Sequence, residues 1–380
     1  MHARVVTDLS TVDATAWDAL NGTDNPFLRH AFLAGLEATG CVHAELGWQP
    51  YHLILEDEDG IAAAQPGYLK GHSRGEFVFD FAWADAFART GRAYYPKLLH
   101  AIPFTPATGP RLLTRPGQSP RDCAAYLAGA SREVVERLDL SSAHWLFPEP
   151  EAAGVLEHQG LLARSGCQFH WTNPGYRDFD DFLDTLRSRR RKAIRRERRQ
   201  AHEAGLSIEL RTGDTLPESD WEAFHALYSR TFHAYGNRPP LSTAFLAHCG
   251  RSLGDRVLMV QARREGRMVA AALLLRSGDT LYGRYWGCEE EWPGLHFEAC
   301  YYQGIEYCID AGLSRFEPGA QGEHKISRGF LPVETHSLHW VAEPRLRDAI
   351  ADFLARETPL VHDYIDAMNQ HSPYRDARLE

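Results

Sequence analysis

Apolar positions recur at helical intervals in some stretches of this chain and alternate with polar ones in others, and the switches between the two periods mark its elements. The opening reads as a short strand over 4–7, then a helix capped at Ser10 or Thr11 that runs through Trp17 to Leu20. Phe27, Leu28, Phe32 and Leu36 follow Asn25-Pro26 and predict a second helix over 27–38. Strand-like runs at 48–55 and 61–69 flank an acidic turn and predict a hairpin. The aromatic run 76–83 reads as a strand, 94–102 as a short helix, 123–138 as a helix and 143–147 as a strand.

A similar order returns later. Residues 221–234 predict a helix, 256–263 and 268–276 a hairpin, 281–287 an aromatic strand, 295–311 a helix and 314–319 a strand. Both halves thus read helix, hairpin, aromatic strand, helix, strand, and no shorter repeat interrupts them. The pattern predicts a tandem duplication, divided at 1–165 and 166–380. Residues 179–204 lack proline, are rich in helix formers and stop at Gly205, which predicts one long helix within the second half.

Composition narrows the class. The chain has 380 residues, 44% hydrophobic and 24% charged, enough for two folded domains and inconsistent with wholesale disorder. Its seven cysteines show no repeated short spacing, as expected of reduced thiols in the cytoplasm. No apolar run reaches the ~18–20 residues of a membrane span, and no basic-then-apolar leader opens the chain. Oligomeric state leaves no mark on the sequence.

Charge changes the picture. The net charge is −10, yet residues 187–199 hold nine Lys or Arg against one Glu, so the rest of the chain carries −18. On a helix, Arg187, Arg191, Arg195 and Arg198 share one face, while Arg189, Lys192, Arg196 and Arg199 share another. Like charges at such spacing repel by a few tenths of a kcal/mol per pair. Something anionic offsets this: acidic groups of the same chain, or the phosphates of a ligand, for which guanidinium forks are suited.

The stretch 281–340 concentrates ionisable and aromatic residues. His296, Cys300 and Gln303 share a helical face, Phe297, Tyr301 and Ile305 form a buried stripe, and Glu298 and Tyr302 lie beside it. In EPGAQGEHK, Gly319 and Gly322 bracket Gln321 ahead of Glu323, His324 and Lys325. Such a loop brings backbone and ionisable side chains to one point, or leaves Glu317 and Glu323 simply paired with Arg315 or Arg328. No His or Cys spacing suits a metal, and nucleophile-elbow, Walker A and dinucleotide-turn motifs are absent.

The segments SRRRKAIRRER, LYGRYWG, LHFEACYYQGIE and FEPGAQGEHKISRGF together resemble the FemAB-like branch of the GNAT N-acyltransferases, over about residues 25–357. The resemblance implies an α/β protein of two tandem GNAT-like domains with mixed sheets. It implies an acyl donor inserted between two splayed parallel strands, here 281–287 and 314–319. Conventional acetyl-CoA enzymes carry a glycine-rich pyrophosphate turn before the following helix. This chain has EEEWPGLHFEA there, a departure from that turn which Fem-type enzymes, with aminoacyl-tRNA as donor, share; the expected donor is aminoacyl-tRNA or acyl-CoA.

Amide formation requires a neutral amine, a stabilised oxyanion and a proton for the leaving group. The expected base is Glu298, Glu317 or Glu323. Lys325 and the Gly319–Gly322 backbone would hold the oxyanion, and Tyr285 or Tyr302 would return the proton. Arg187, Arg191, Arg195 and Arg198 would grip phosphates, including those of a tRNA acceptor stem. Trp286, His296, Gln321, His324 and Arg328 would line the substrate. No tightly bound cofactor is expected, the donor being a co-substrate. The rival reading is a non-catalytic module that recognises a phosphate-bearing ligand.

Overall fold

The computed structural model describes residues 1–320 and 322–375. The chain divides into two compact units: Met1–Cys167 with Glu334–Tyr364, and Gln168–Val333 with the segment from Ile365. Residues 334–364 therefore fold with the first unit, whereas the duplicated pattern assigns them to the second.

In the first unit, His2–Val6, His52–Asp57, Gly60–Gln65 and Leu113–Thr114 form an antiparallel sheet. A mixed sheet joins Trp48–Pro50, Tyr68–Lys70, Lys97–His100, Ser142–Leu146 and the end of Leu331–Val341, parallel between Lys97–His100 and Ser142–Leu146. Helix Pro120–Arg137 starts where the Ser119 hydroxyl accepts the Asp122 N–H. Its buried residues Cys123, Leu127, Val134 and Val135 follow helical spacing and join Leu53, Leu55 and Trp145 in one core.

Two expectations fail in this unit. Residues 94–102 are not a helix: Lys97–His100 is a strand with all four residues buried. A strand covered on both faces loses its polar alternation, so its period no longer separates it from a buried helix. Nor are residues 76–83 a strand: helix Phe81–Arg89 starts within them and buries Trp83 and Phe87. Lys97 draws Glu76 inward, Nζ to Oε2 2.7 Å, and Asp80 with it, so this segment is fixed by ion pairs and not by a ladder. The order of helix, hairpin, strand, helix and strand is met in the first unit by other residues than those read for it, with Lys97–His100 and Ser142–Leu146 as the strands and Pro120–Arg137 as the helix between them.

The second unit has a mixed sheet in the order Ser207–Thr212, Val257–Arg264, Arg267–Arg276, Thr280–Cys288, Arg315–Glu317 and the end of Leu162–Thr172. Thr280–Cys288 and Arg315–Glu317 are parallel and the other pairs antiparallel. Helix Glu218–Ala234 packs so closely on this sheet that a Cβ at Gly287 would run into the Leu227 carbonyl.

The basic segment is two helices, Phe179–Thr185 and Ser188–Glu203, and not one over 179–204. Leu186 and Arg187 are extended between them, with ψ of 152° and 140°. The Arg187 N–H donates to the Pro373 carbonyl, Leu186 bridges Tyr374, and Arg375 Nε donates to the Leu186 carbonyl. Pairing with a segment distant in sequence overrides the local helical preference, which is worth only tenths of a kcal/mol per residue.

Candidate active site

The parallel ladder between Thr280–Cys288 and Arg315–Glu317 lasts three residue pairs and ends at Tyr282 opposite Glu317. The first strand runs on to Cys288, and Pro318 lies beside its start: a Cβ at Gly283 would stand 3.1 Å from the Pro318 Cα. Gly319 and Gly322 take φ of 103° and 120°, values that side-chain-bearing residues rarely adopt, and lead into the 3-10 turn Glu323–Arg328. On the intervening helical stretch a π turn, Glu298–Tyr302, separates helices Leu295–Phe297 and Gln303–Asp310. Such turns re-aim side chains and are frequent at functional sites.

Lys325 is 3% exposed, and its Nζ donates to the Gly319 carbonyl at 2.8 Å. No carboxylate among the described residues lies within ion-pair distance of it. Burial therefore pulls its pKa down to about 8. Around this turn the aromatic rings close up. His296 meets Trp286 at 5.4 Å, Phe297 at 5.3 Å and Tyr301 at 5.6 Å between ring centroids. The Tyr301 hydroxyl shares a 2.9 Å hydrogen bond with His324 Nε2. Burial, with the neighbouring His324, Arg328 and Lys325, lowers His296 to about 4. His324 is lowered by burial, Arg328 and Lys325, while burial raises Tyr301. Lys325, His324, His296 and Tyr301 thus form one group.

Other expected residues face the basic helix. Glu298 is fully buried and clamped by Arg198 through two 3.0 Å bonds, and Gln303 donates to it at 2.8 Å. Tyr302 donates to Glu197, which also receives Arg328 at 2.8 Å, and Arg328 stacks 3.3 Å over Phe297. Gly294, at φ 78°, allows this packing, since a Cβ there would run into the Glu197 carbonyl. Glu317 is buried, 3.3 Å from Arg315 Nε and 4.0 Å from His170. Glu323 is exposed, and Tyr285 packs against Tyr228 with Arg284 over its ring. Gln321 lies outside the described residues.

The basic residues divide differently from expectation. Arg191 pairs with Asp184 at 2.8 Å, Arg195 with Asp180 at 2.9 Å, and Arg198 with Glu298 and Glu306. Arg187 donates to the Tyr374 carbonyl. The face expected to grip phosphates is occupied by the protein's own acceptors. Arg189, Lys192, Arg196 and Arg199 line an open groove with Ala193 and Arg195. Those four make no ion pair among the described residues. Acids in the preceding helix, DDFLDT, are the signal that could have separated the faces; the Glu197 and Glu298 pairs had none.

Residues 8–376 match the family model described as peptidoglycan biosynthesis/recognition, FemAB-like. The chain belongs to the FemAB-like family. No curated protein matches its sequence. Among solved structures, FemX is similar at TM-score 0.54 with 11% identity, over 92% of this chain and 100% of that one. The C-terminal domain of a putative lysylphosphatidylglycerol synthetase from Agrobacterium fabrum is similar at 0.53 with 12% identity, over 92% and 96%. A tandem GNAT protein from the clavulanic acid biosynthesis pathway is similar at 0.46 with 11% identity, over 90% and 99%. This FemAB-like protein has an α/β architecture with mixed sheets, a fold it shares with FemX. Among its described residues, no helix is long and apolar enough to cross a membrane.

Proposed function

We propose that this FemAB-like protein makes an amide bond, moving an aminoacyl or acyl group from a phosphate-bearing carrier to an amine of a cell-wall precursor or peptide. One observation carries the reading: a buried Lys325 without a carboxylate partner, set among His296, His324 and Tyr301 where two parallel strands part. A desolvated cation with no internal counter-charge is suited to a negative charge that exists only during reaction. The amine nitrogen bonds to the carbonyl carbon, and the Lys325 ammonium stabilises the oxyanion. The carbon–oxygen or carbon–sulfur bond to the carrier then breaks. His324, neutral and hydrogen-bonded to Tyr301, takes the amine proton and passes it to the leaving atom. Glu298 and Tyr302 position the helix through Arg198 and Glu197.

The carrier's phosphates are best served by Arg189, Lys192, Arg196 and Arg199. Glu290 and Glu291, exposed where a conventional acetyl-CoA enzyme cradles pyrophosphate, favour aminoacyl-tRNA over acyl-CoA. The test is transfer of labelled acyl groups from both donor classes to amine acceptors, with Lys325→Met and His324→Ala beside the parent chain. Transfer reduced ~10²-fold or more in each variant supports the assignment. Undiminished rates refute it, and carrier binding without transfer from any donor supports the recognition module instead.

A further inference from the structure

The turn that carries His324 and Lys325 has little of its own to hold it. It is a 3-10 turn over Glu323–Arg328, with poorer hydrogen-bond geometry than an α-helix, between Gly322 at φ 120° and Gly329 at φ 99°. Its last residue ties it down. Arg328 Nη1 donates back across the turn, to the His324 carbonyl at 2.8 Å and the Ser327 hydroxyl at 3.0 Å. Arg328 Nε and Nη2 reach out of the turn to the two carboxylate oxygens of Glu197, at 3.2 and 2.8 Å. Phe297 covers the guanidinium at 3.3 Å. All three guanidinium nitrogens of this buried side chain therefore donate to acceptors of the protein itself. Glu197 is the one acid among the nine Lys and Arg of residues 187–199, yet among the described residues it pairs with none of them. Its carboxylate serves Arg328 and the Tyr302 hydroxyl instead.

We propose that Arg328 and Glu197 are positioning residues: their clasp fixes the turn bearing His324 and Lys325 to the basic helix and sets the charge around it. The inference rests on the transfer reading of that site and adds the two groups through which its acting side chains are placed. A guanidinium fork on a carboxylate admits one relative orientation, which suits placement more than attraction does. Misplacing reacting groups by about 1 Å can cost ~10²-fold in rate. Charge is the second effect. Burial lowers His324, and Arg328 and Lys325 on its own turn lower it further. His296 and Tyr301 face it from the π-turn stretch, and Glu323 adjoins it in the chain. Glu197, behind Arg328, offsets part of the guanidinium charge that His324 meets.

The test compares Glu197→Gln, Arg328→Gln and Arg328→Lys with the parent full chain. Steady-state transfer gives kcat and KM, and NMR follows the His324 ring through pH, its signal assigned by its loss in His324→Ala. Glu197→Gln and Arg328→Gln should each lower kcat about tenfold or more and leave the KM of carrier and acceptor within about twofold. His324 should titrate at lower pH in Glu197→Gln, where an opposite charge is gone, and at higher pH in Arg328→Gln, where a like charge is gone. Arg328→Lys keeps the charge without the fork, so it should restore the His324 titration and not kcat. Should a single change impair folding by stranding its partner, Glu197→Gln/Arg328→Gln leaves no charge unpaired and should show the same loss of kcat. A raised KM with unchanged kcat would make Arg328 a substrate contact. Unchanged kcat with an unmoved His324 would make the clasp structural alone. Either result overturns the proposal. The two readings fail separately. If the parent chain transfers from no donor, opposite His324 shifts in the two variants keep the clasp and reject the transfer assignment. If it transfers and the variants match it in kcat, the clasp fails and the site stands.

Discussion

Two buried lysines, Lys97 in the first unit and Lys325 in the second, are treated in opposite ways. Lys97 in the first unit is fully buried against Glu76 and Asp80, with Ser73 3.0 Å from its Nζ. Burial alone would lower its pKa, but the two carboxylates outweigh it and the net shift is upward. Lys325 in the second unit is 3% exposed and has a backbone carbonyl where Lys97 has two acids, so burial wins and its pKa falls to about 8. A buried charge that is fully paired fixes structure; one left with a weak partner is kept available for another. Lys70 in the first unit is also fully buried, 4.0 Å from Glu76, and burial lowers its pKa to about 7, so the contrast separates the two lysines and not the two units.

Removing each lysine is the sharpest way to break this comparison. Lys97→Met leaves Asp80 without its cation and Glu76 with Lys70 alone at 4.0 Å, and loss of one partner of such a cluster costs about 3–5 kcal/mol. Denaturant unfolding should register that loss. Lys325→Met removes a cation with no acidic partner and replaces it with an apolar chain of similar length, so stability should stay within about 1 kcal/mol or rise. Its cost should fall on transfer, ~10²-fold or more. If Lys97→Met unfolds no more easily than the parent chain, the cluster is not the structural device described.

Acidity sharpens the same contrast with a smaller effect. The folded value of Lys325, about 8, lies below its ordinary value of 10.5. Between those values the unfolded chain binds more protons than the folded one, so stability rises with pH through that window. The cost of burying this charge is full below pH 8. Lys97, shifted upward, has the opposite sign: its contribution is complete below its ordinary value and is lost at higher pH. Transfer should decline above about pH 8 as the Lys325 ammonium is lost, with the same trend expected for several donors. The decline should be absent from the residual rate of Lys325→Met, and its persistence there would assign the titration to another group.

What the sequence made legible follows physical range. The hairpin Val257–Arg264 and Arg267–Arg276 was readable because alternation and turn residues are local, as was the glycine loop before Lys325. Lys97–His100 was not, because a strand buried on both faces carries no alternation. The break at Leu186 and Arg187 depends on Pro373–Arg375, which no local pattern encodes. Clustering of ionisable residues pointed to the candidate site, yet partners far apart in sequence set the surroundings of each residue. Glu298 has the composition of a base, but Arg198 and Gln303 occupy its carboxylate.

The smallest expected structural effect belongs to the basic helix, whose two faces repeat the contrast at its surface. Arg191 and Arg195 have acidic partners, while Lys192 and Arg196 have none among the described residues. Lys192→Glu and Arg196→Glu are exposed changes and should alter stability by no more than about 0.5 kcal/mol. If the outer face binds a phosphate backbone, each reversal should weaken carrier binding in every tRNA tested and flatten the dependence of log K on log salt by about one unit per lost contact. Arg191→Gln, which removes a cation already paired with an exposed acid, should change that slope far less. Equal slopes for both faces would mean that the helix acts as a diffuse positive field, because a field, unlike a set of contacts, does not distinguish which cation is removed.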